Sequence, residues 1–111
     1  MSGLNVTHEG GITRVVFDRP SVLNALSPGL LAELIELCAD LARRDSVRVV
    51  VLEGAGKCFS AGADLPAFFP LLAGPDARST ADLGRRATNA IAQLPQITIA
   101  GVRGHCVGGG L

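Results

Sequence analysis

Phe59-Ser-Ala-Gly-Ala-Asp-Leu65 and Gly104-His-Cys-Val-Gly-Gly-Gly-Leu111 each follow an apolar run of strand type, Val47 to Leu52 in the first case and Ile97 to Val102 in the second. Small residues at those points let a loop bring backbone N–H groups close to a bound atom, because glycine accepts angles and approaches that a Cβ forbids. Two such loops can hold one oxygen between them. The strand-to-glycine-loop unit, occurring twice, is the feature around which the chain is organised. Helix-forming sequence is expected after the second loop, yet Leu111 is the last residue, so that loop reads as cut off inside its own site.

Upstream of these loops, Leu4 to His8 and Ile12 to Asp18 are β-branched, partly alternating runs on either side of Glu9-Gly10-Gly11, the pattern of a hairpin with a glycine turn. Arg19 to Leu26 reads as loop, since Pro20 cannot donate to a ladder and restricts Arg19. Ser27-Pro28 is an N-cap followed by proline at the first helical position. Beyond it Leu30, Leu31, Leu34, Leu37, Cys38 and Leu41 recur at spacings of three and four, which predicts an amphipathic helix. Val47 to Leu52 is a nearly continuous apolar run, expected to be a strand buried on both faces. Gly54 to Pro66 is expected as loop, and Pro66 to Thr80 as irregular, mobile or at most briefly helical. A second helix is predicted from about Ala81 to Leu94, ended by Pro95, before a last strand over Ile97 to Val102. The strands near Val50 and at Ile97 to Val102 are both expected to expose apolar surface unless further chain covers them.

Composition narrows the function classes. The chain has 111 residues, 48% hydrophobic and 18% charged, with net charge +0, which describes one small globular unit. A neutral balance with four Phe as the only aromatics argues against a nucleic-acid partner. No apolar run reaches membrane-spanning length, and Met1 to His8 has neither a basic region nor an apolar stretch, so no membrane association and a cytoplasmic location are expected. Cys38, Cys58 and Cys106 are an odd number at irregular spacing and read as free thiols.

Two phosphate-binding motifs fail on inspection. Gly54-Ala-Gly56-Lys57 would need Gly at position 51 and Ser or Thr at position 58 to be a nucleotide P-loop, where Val51 and Cys58 stand. A dinucleotide fingerprint would need glycine where Phe59 stands, with a helix opening at once. No His, Cys, Asp or Glu pair falls at zinc spacing, so no metal site is expected. Cys106 beside His105 raises a thiol nucleophile, set against the plainer reading of small residues packing a turn.

Four blocks together resemble a known family. Phe17-Asp-Arg-Pro with Leu23-Asn-Ala-Leu26, the strand Val49 to Gly54, Lys57 to Leu65, and Gly104-x-x-x-Gly-Gly-Gly110 are similar, in order and spacing, to the enoyl-CoA hydratase/isomerase (crotonase) superfamily. The resemblance covers essentially the whole chain but only the N-terminal part of a typical member, so residues 1–111 read as the first part of one domain. It implies an α/β fold, a crotonase-like spiral of repeated β-β-α units, assembled as homo-oligomers, trimers or hexamers. It also implies an acyl-CoA thioester as substrate, with coenzyme A part of that substrate and no separate cofactor.

By motif matching, the backbone N–H groups of Ala63 and Gly109 would form the family's oxyanion hole. Val22, Ala25, Ala61, Asp64 and Leu65 match positions that contact the CoA moiety, although Asp64 is equally placed to cap a short helix. Arg19 is either a partner for a CoA phosphate or a structural charge. The two carboxylates that handle water and protons in hydratases come after this point in the family pattern. Asp18, Glu53 and Asp82 do not occupy equivalent positions, so the family's reaction subtype is not named by these residues. Two readings follow: the N-terminal part of an acyl-CoA hydratase or isomerase, or an inactive piece acting as a CoA-binding or assembly element.

Overall fold

The computed structural model describes residues 3–111; Met1 and Ser2, the first two residues of the Met1 to His8 stretch read above, lie outside the described residues. Strands β1 (Leu4–Glu9) and β2 (Ile12–Phe17) pair antiparallel, with Leu4 opposite Phe17. Gly10 and Gly11 have φ of +57° and +83°, the pair of positive values that a two-residue hairpin turn requires. Strands β3 (Val49–Gly54) and β4 (Ile97–Gly101) add in parallel, giving the sheet order β1-β2-β3-β4.

Helix α1 (Pro28–Ala42) opens as its sequence dictates, with the Ser27 hydroxyl accepting from the Leu30 amide. It buries Leu30, Leu31, Leu34, Cys38 and Leu41 in a core that includes Val15, Phe17, Val50 and Leu52. Helix α3 (Ala77–Ala92) packs beside it through Ala87, with Leu83, Ala90 and Ile91 partly buried.

A second, shorter ladder runs beside the main sheet. After β2, β3 and β4 the chain passes through brief extended segments that bridge in parallel, Leu26 to Ala63 and Ser60 to Cys106. Long strand, short bridging strand, then helix is the repeated β-β-α unit, wound as a spiral. The hairpin strand β1 lies outside that repeat, and the third turn closes on a 3-10 turn over Gly108–Gly110.

Several element boundaries differ from expectation. The stretch read as irregular holds helix α2 (Leu65–Leu72), followed by α3, which starts a turn earlier than predicted and ends at Ala92. Proline does not prevent a helix at its first turn. Pro66 sits in the first turn, where its missing N–H has no helical partner to lose, and the Asp64 carboxylate accepts from the Ala67 amide as N-cap. Strand β3 extends through Gly54, which the sequence placed in loop, and only one of its faces is buried. Its expected exposure therefore falls elsewhere: Val50 is 1% exposed in the sheet interior, whereas all of β4 is exposed, Ile97 at 67%.

Candidate functional site

Three loops converge at the C-terminal ends of the parallel strands: residues 18–27 after β2, 55–64 after β3 and 102–111 after β4. Glycine geometry explains how closely they pack. A Cβ on Gly54 would fall 2.3 Å from the Cys58 carbonyl oxygen, and one on Gly104, where φ is +60°, would fall 2.3 Å from that of Lys57. Neither turn admits a side chain. Phe59 then anchors the second loop, meeting Phe17 edge to face at 5.4 Å in the core.

Asn24 ties the first loop to the second. It is wholly buried with φ of +55°, a conformation asparagine tolerates better than most residues, and its side-chain amide donates to the carbonyls of Ala55 and Cys58 at 2.9 and 3.0 Å. Its side-chain oxygen accepts from the Arg19 amide. Ser60, also wholly buried, donates through its hydroxyl to the Asn24 carbonyl and accepts from the Gly62 amide. Sequence reasoning passed over both residues. The available signal was an Asn placed between a proline turn and a helix cap, where a left-handed residue is common.

These bonds fix the direction of particular backbone groups. The Leu26 amide donates to the Gly62 carbonyl at 2.8 Å, and the Asp64 amide donates to the Leu26 carbonyl at 2.9 Å. In a trans peptide the C=O and N–H point in opposite directions, so tying the Gly62 carbonyl to Leu26 turns the Ala63 N–H away from it. That direction leads towards the third loop. A Cβ on Gly109 would lie 3.8 Å from the Ala63 nitrogen, and a Cβ on Gly62 would lie 3.2 Å from the Gly109 nitrogen. Among the described residues neither the Ala63 nor the Gly109 N–H has an acceptor, although both residues are exposed and the Gly62 between the loops is buried.

The other expected site residues sit around this point. Val22 is 44% and Leu65 52% exposed, Ala25 and Ala61 are half-buried, and Ala61 donates its amide to the Leu23 carbonyl. Asp64 caps α2 with one oxygen and meets Arg19 with the other at 2.9 Å, in a pair whose side chains are 14% and 27% exposed. Arg19 is thereby a structural charge, its fork also reaching the Ala25 carbonyl at 2.7 Å. The Cys106 thiol donates to the Gly110 carbonyl within its own turn, in keeping with the packing role weighed for it. Glu53 pairs with Arg14, and Arg85, by hydrogen bonding, holds the Asp82 carboxyl below its ordinary range; Cys38 is pushed up by burial. An apolar groove of about 360 Å³ between α3 and β4 ends at Gly109 and Gly110.

Known proteins resemble this chain in sequence and in fold. The chain is 36% identical to a probable enoyl-CoA hydratase of Mycobacterium avium over 105 residues, and 37% identical to a 4-chlorobenzoyl coenzyme A dehalogenase of an Arthrobacter species over 114 residues. It resembles the crystal structure of an enoyl-CoA hydratase/carnithine racemase from Magnetospirillum magneticum with a TM-score of 0.89 and 36% identity, covering 99% of this chain and 42% of that one. The alignments cover 95% and 97% of this chain but only 40% of either sequence relative, so the chain spans about two fifths of the length of the proteins it matches. The sequence model of the enoyl-CoA hydratase/isomerase family matches residues 7–111, and the chain belongs to that family.

Proposed function

We propose that the Ala63 and Gly109 amides receive the carbonyl oxygen of an acyl-CoA thioester and stabilise the enolate formed when charge moves onto it. The observation that carries this reading is the pair of unengaged amides on facing loops, one of them aimed by the Leu26 bonds. Removal of an α-proton, or addition to the β-carbon of an enoyl thioester, places negative charge on that oxygen. Donors fixed in advance stabilise the charged transition state more than the neutral ground state, and one such donor typically contributes about 3 to 4 kcal/mol to the barrier. Val22, Ala25, Ala61, Asp64 and Leu65 surround the approach to these amides and are the proposed CoA contacts, with Asp64 acting through its cap and ion pair.

The reading covers hydration and isomerisation alike, because both pass through the same charge. The three free thiols are in keeping with a reducing, cytoplasmic setting, and assembly as a trimer or hexamer completes the proposal. A second reading is a CoA-binding or assembly element without turnover.

A short enoyl-CoA hydration assay separates them, run on the protein and on Gly109→Ala. Gly109 does not have a positive φ, and the new methyl would lie 3.4 Å from Leu26 Cδ1, so the fold accommodates it. The same methyl stands in front of the Ala63 amide. Turnover that falls by about 100-fold or more with the melting temperature held supports the oxyanion reading. Binding of the thioester without turnover in the unsubstituted protein favours the second.

A further inference from the structure

We infer that Arg19 is a positioning residue for the Ala63 amide, an inference that rests on the oxyanion reading above and extends it to a side chain that touches no substrate. The direction of the Ala63 N–H depends on two bonds, Leu26 to Gly62 and Asp64 to Leu26. A ladder of two bonds is too short to hold register by itself. Arg19 spans it from both sides. One terminal nitrogen donates to the carbonyl of Ala25, the residue before Leu26, and the other to the carboxylate of Asp64, the residue after Ala63.

The clamp is itself held in place. The Arg19 carbonyl accepts from the Val22 and Asn24 amides, and its own amide donates to the Asn24 side chain. Gly3 leaves room for the arginine stem, since a Cβ there would fall 2.4 Å from Arg19 Cγ. A planar guanidinium reaches two acceptors at a fixed angle, while an ammonium can approach only one of them well. The pair is partly shielded from water, so its attraction is screened less than that of the exposed pairs at the C-terminal end of α1 and on α3. With Arg19 removed, the bridge between residues 26 and 63 can shift, and a donor displaced by a fraction of an ångström no longer meets the developing charge.

The test measures turnover together with the carbonyl stretching frequency of a bound, carbon-13-labelled short acyl-CoA, which reports how strongly the amides polarise it. In Arg19→Gln the frequency should move back towards its solution value. kcat should fall about 10- to 100-fold with KM changed by less than about threefold. Arg19→Lys should lie between that variant and the unsubstituted protein. Asp64→Asn keeps the cap acceptor and removes the ion pair, so it should reproduce the frequency change, and it carries the test if Arg19→Gln does not fold. An unchanged frequency and kcat in a variant that melts at lower temperature would make Arg19 merely structural and overturn the inference. If the unsubstituted protein itself leaves the thioester frequency at its solution value, the oxyanion reading fails first and the inference falls with it.

Discussion

Three adjacent glycines at the end of this chain have three different physical roles. Gly108 has φ of +53°, a backbone state that costs a side chain energy whatever the space around it. Gly109 is conformationally ordinary and spatially tolerant, and its missing Cβ leaves open the approach to the Ala63 amide. Gly110 is buried, and a Cβ there would fall 2.6 Å from the Ser60 carbonyl oxygen and 2.9 Å from Ser60 Cβ. Gly110→Ala should therefore lower the melting temperature by an amount equivalent to about 1 to 3 kcal/mol, read by thermal denaturation, whereas Gly109→Ala should shift it by less than about 1 kcal/mol. The reverse order would mean that Gly110 does not pack against Ser60. Motif matching singles out Gly109 in the triplet, but the packing role of Gly110 is not legible in the sequence, because the Ser60 it packs against lies on a loop some fifty residues upstream.

Among the elements, α1 and α2 are opposites. α1 is capped, amphipathic and buries five residues, and it was legible because a leucine stripe at helical spacing follows an evident Ser-Pro start. α2 buries none of its residues and contains Pro70, whose missing N–H leaves the Pro66 carbonyl without its helical partner. Amide hydrogen exchange should run through α2 at least about 100-fold faster than through the centre of α1, the ratio expected if α2 opens locally while α1 opens only with the core. Equal protection would show that α2 opens only together with the core. The tie between the first two loops was illegible for a separate reason. Asn24 to Ala55 and Arg19 to Asp64 are links across 31 and 45 residues, and spacing patterns report local periodicity rather than which loops meet.

At the scale of the whole molecule, β2 and β3 are buried on the face that meets the helices, whereas β4 is exposed along its whole length. Parallel register places Val49 beside Ile97 and Val51 beside Ile99 on the face away from Val50 and Leu52, and β4 has no further strand beside it among the described residues. With Ile97 67% and Ile99 50% exposed, and the groove beside α3 open, this is apolar surface of the kind that drives association. The 111-residue chain should sediment as oligomers or aggregates at micromolar concentration, and a cooperative, monomeric species would contradict that expectation. The two amides of the proposed site lie on the loops after β3 and β4, and the groove ends at Gly109. The most direct test of the central claim is a titration with a non-hydrolysable acyl-CoA thioester analogue, followed through the amide nitrogen and proton resonances of Ala63 and Gly109. Both resonances should move downfield together and saturate at one dissociation constant, while that of Ala61, whose amide is already bonded to Leu23, should move little. Saturable binding that leaves the Ala63 and Gly109 resonances in place would contradict the account.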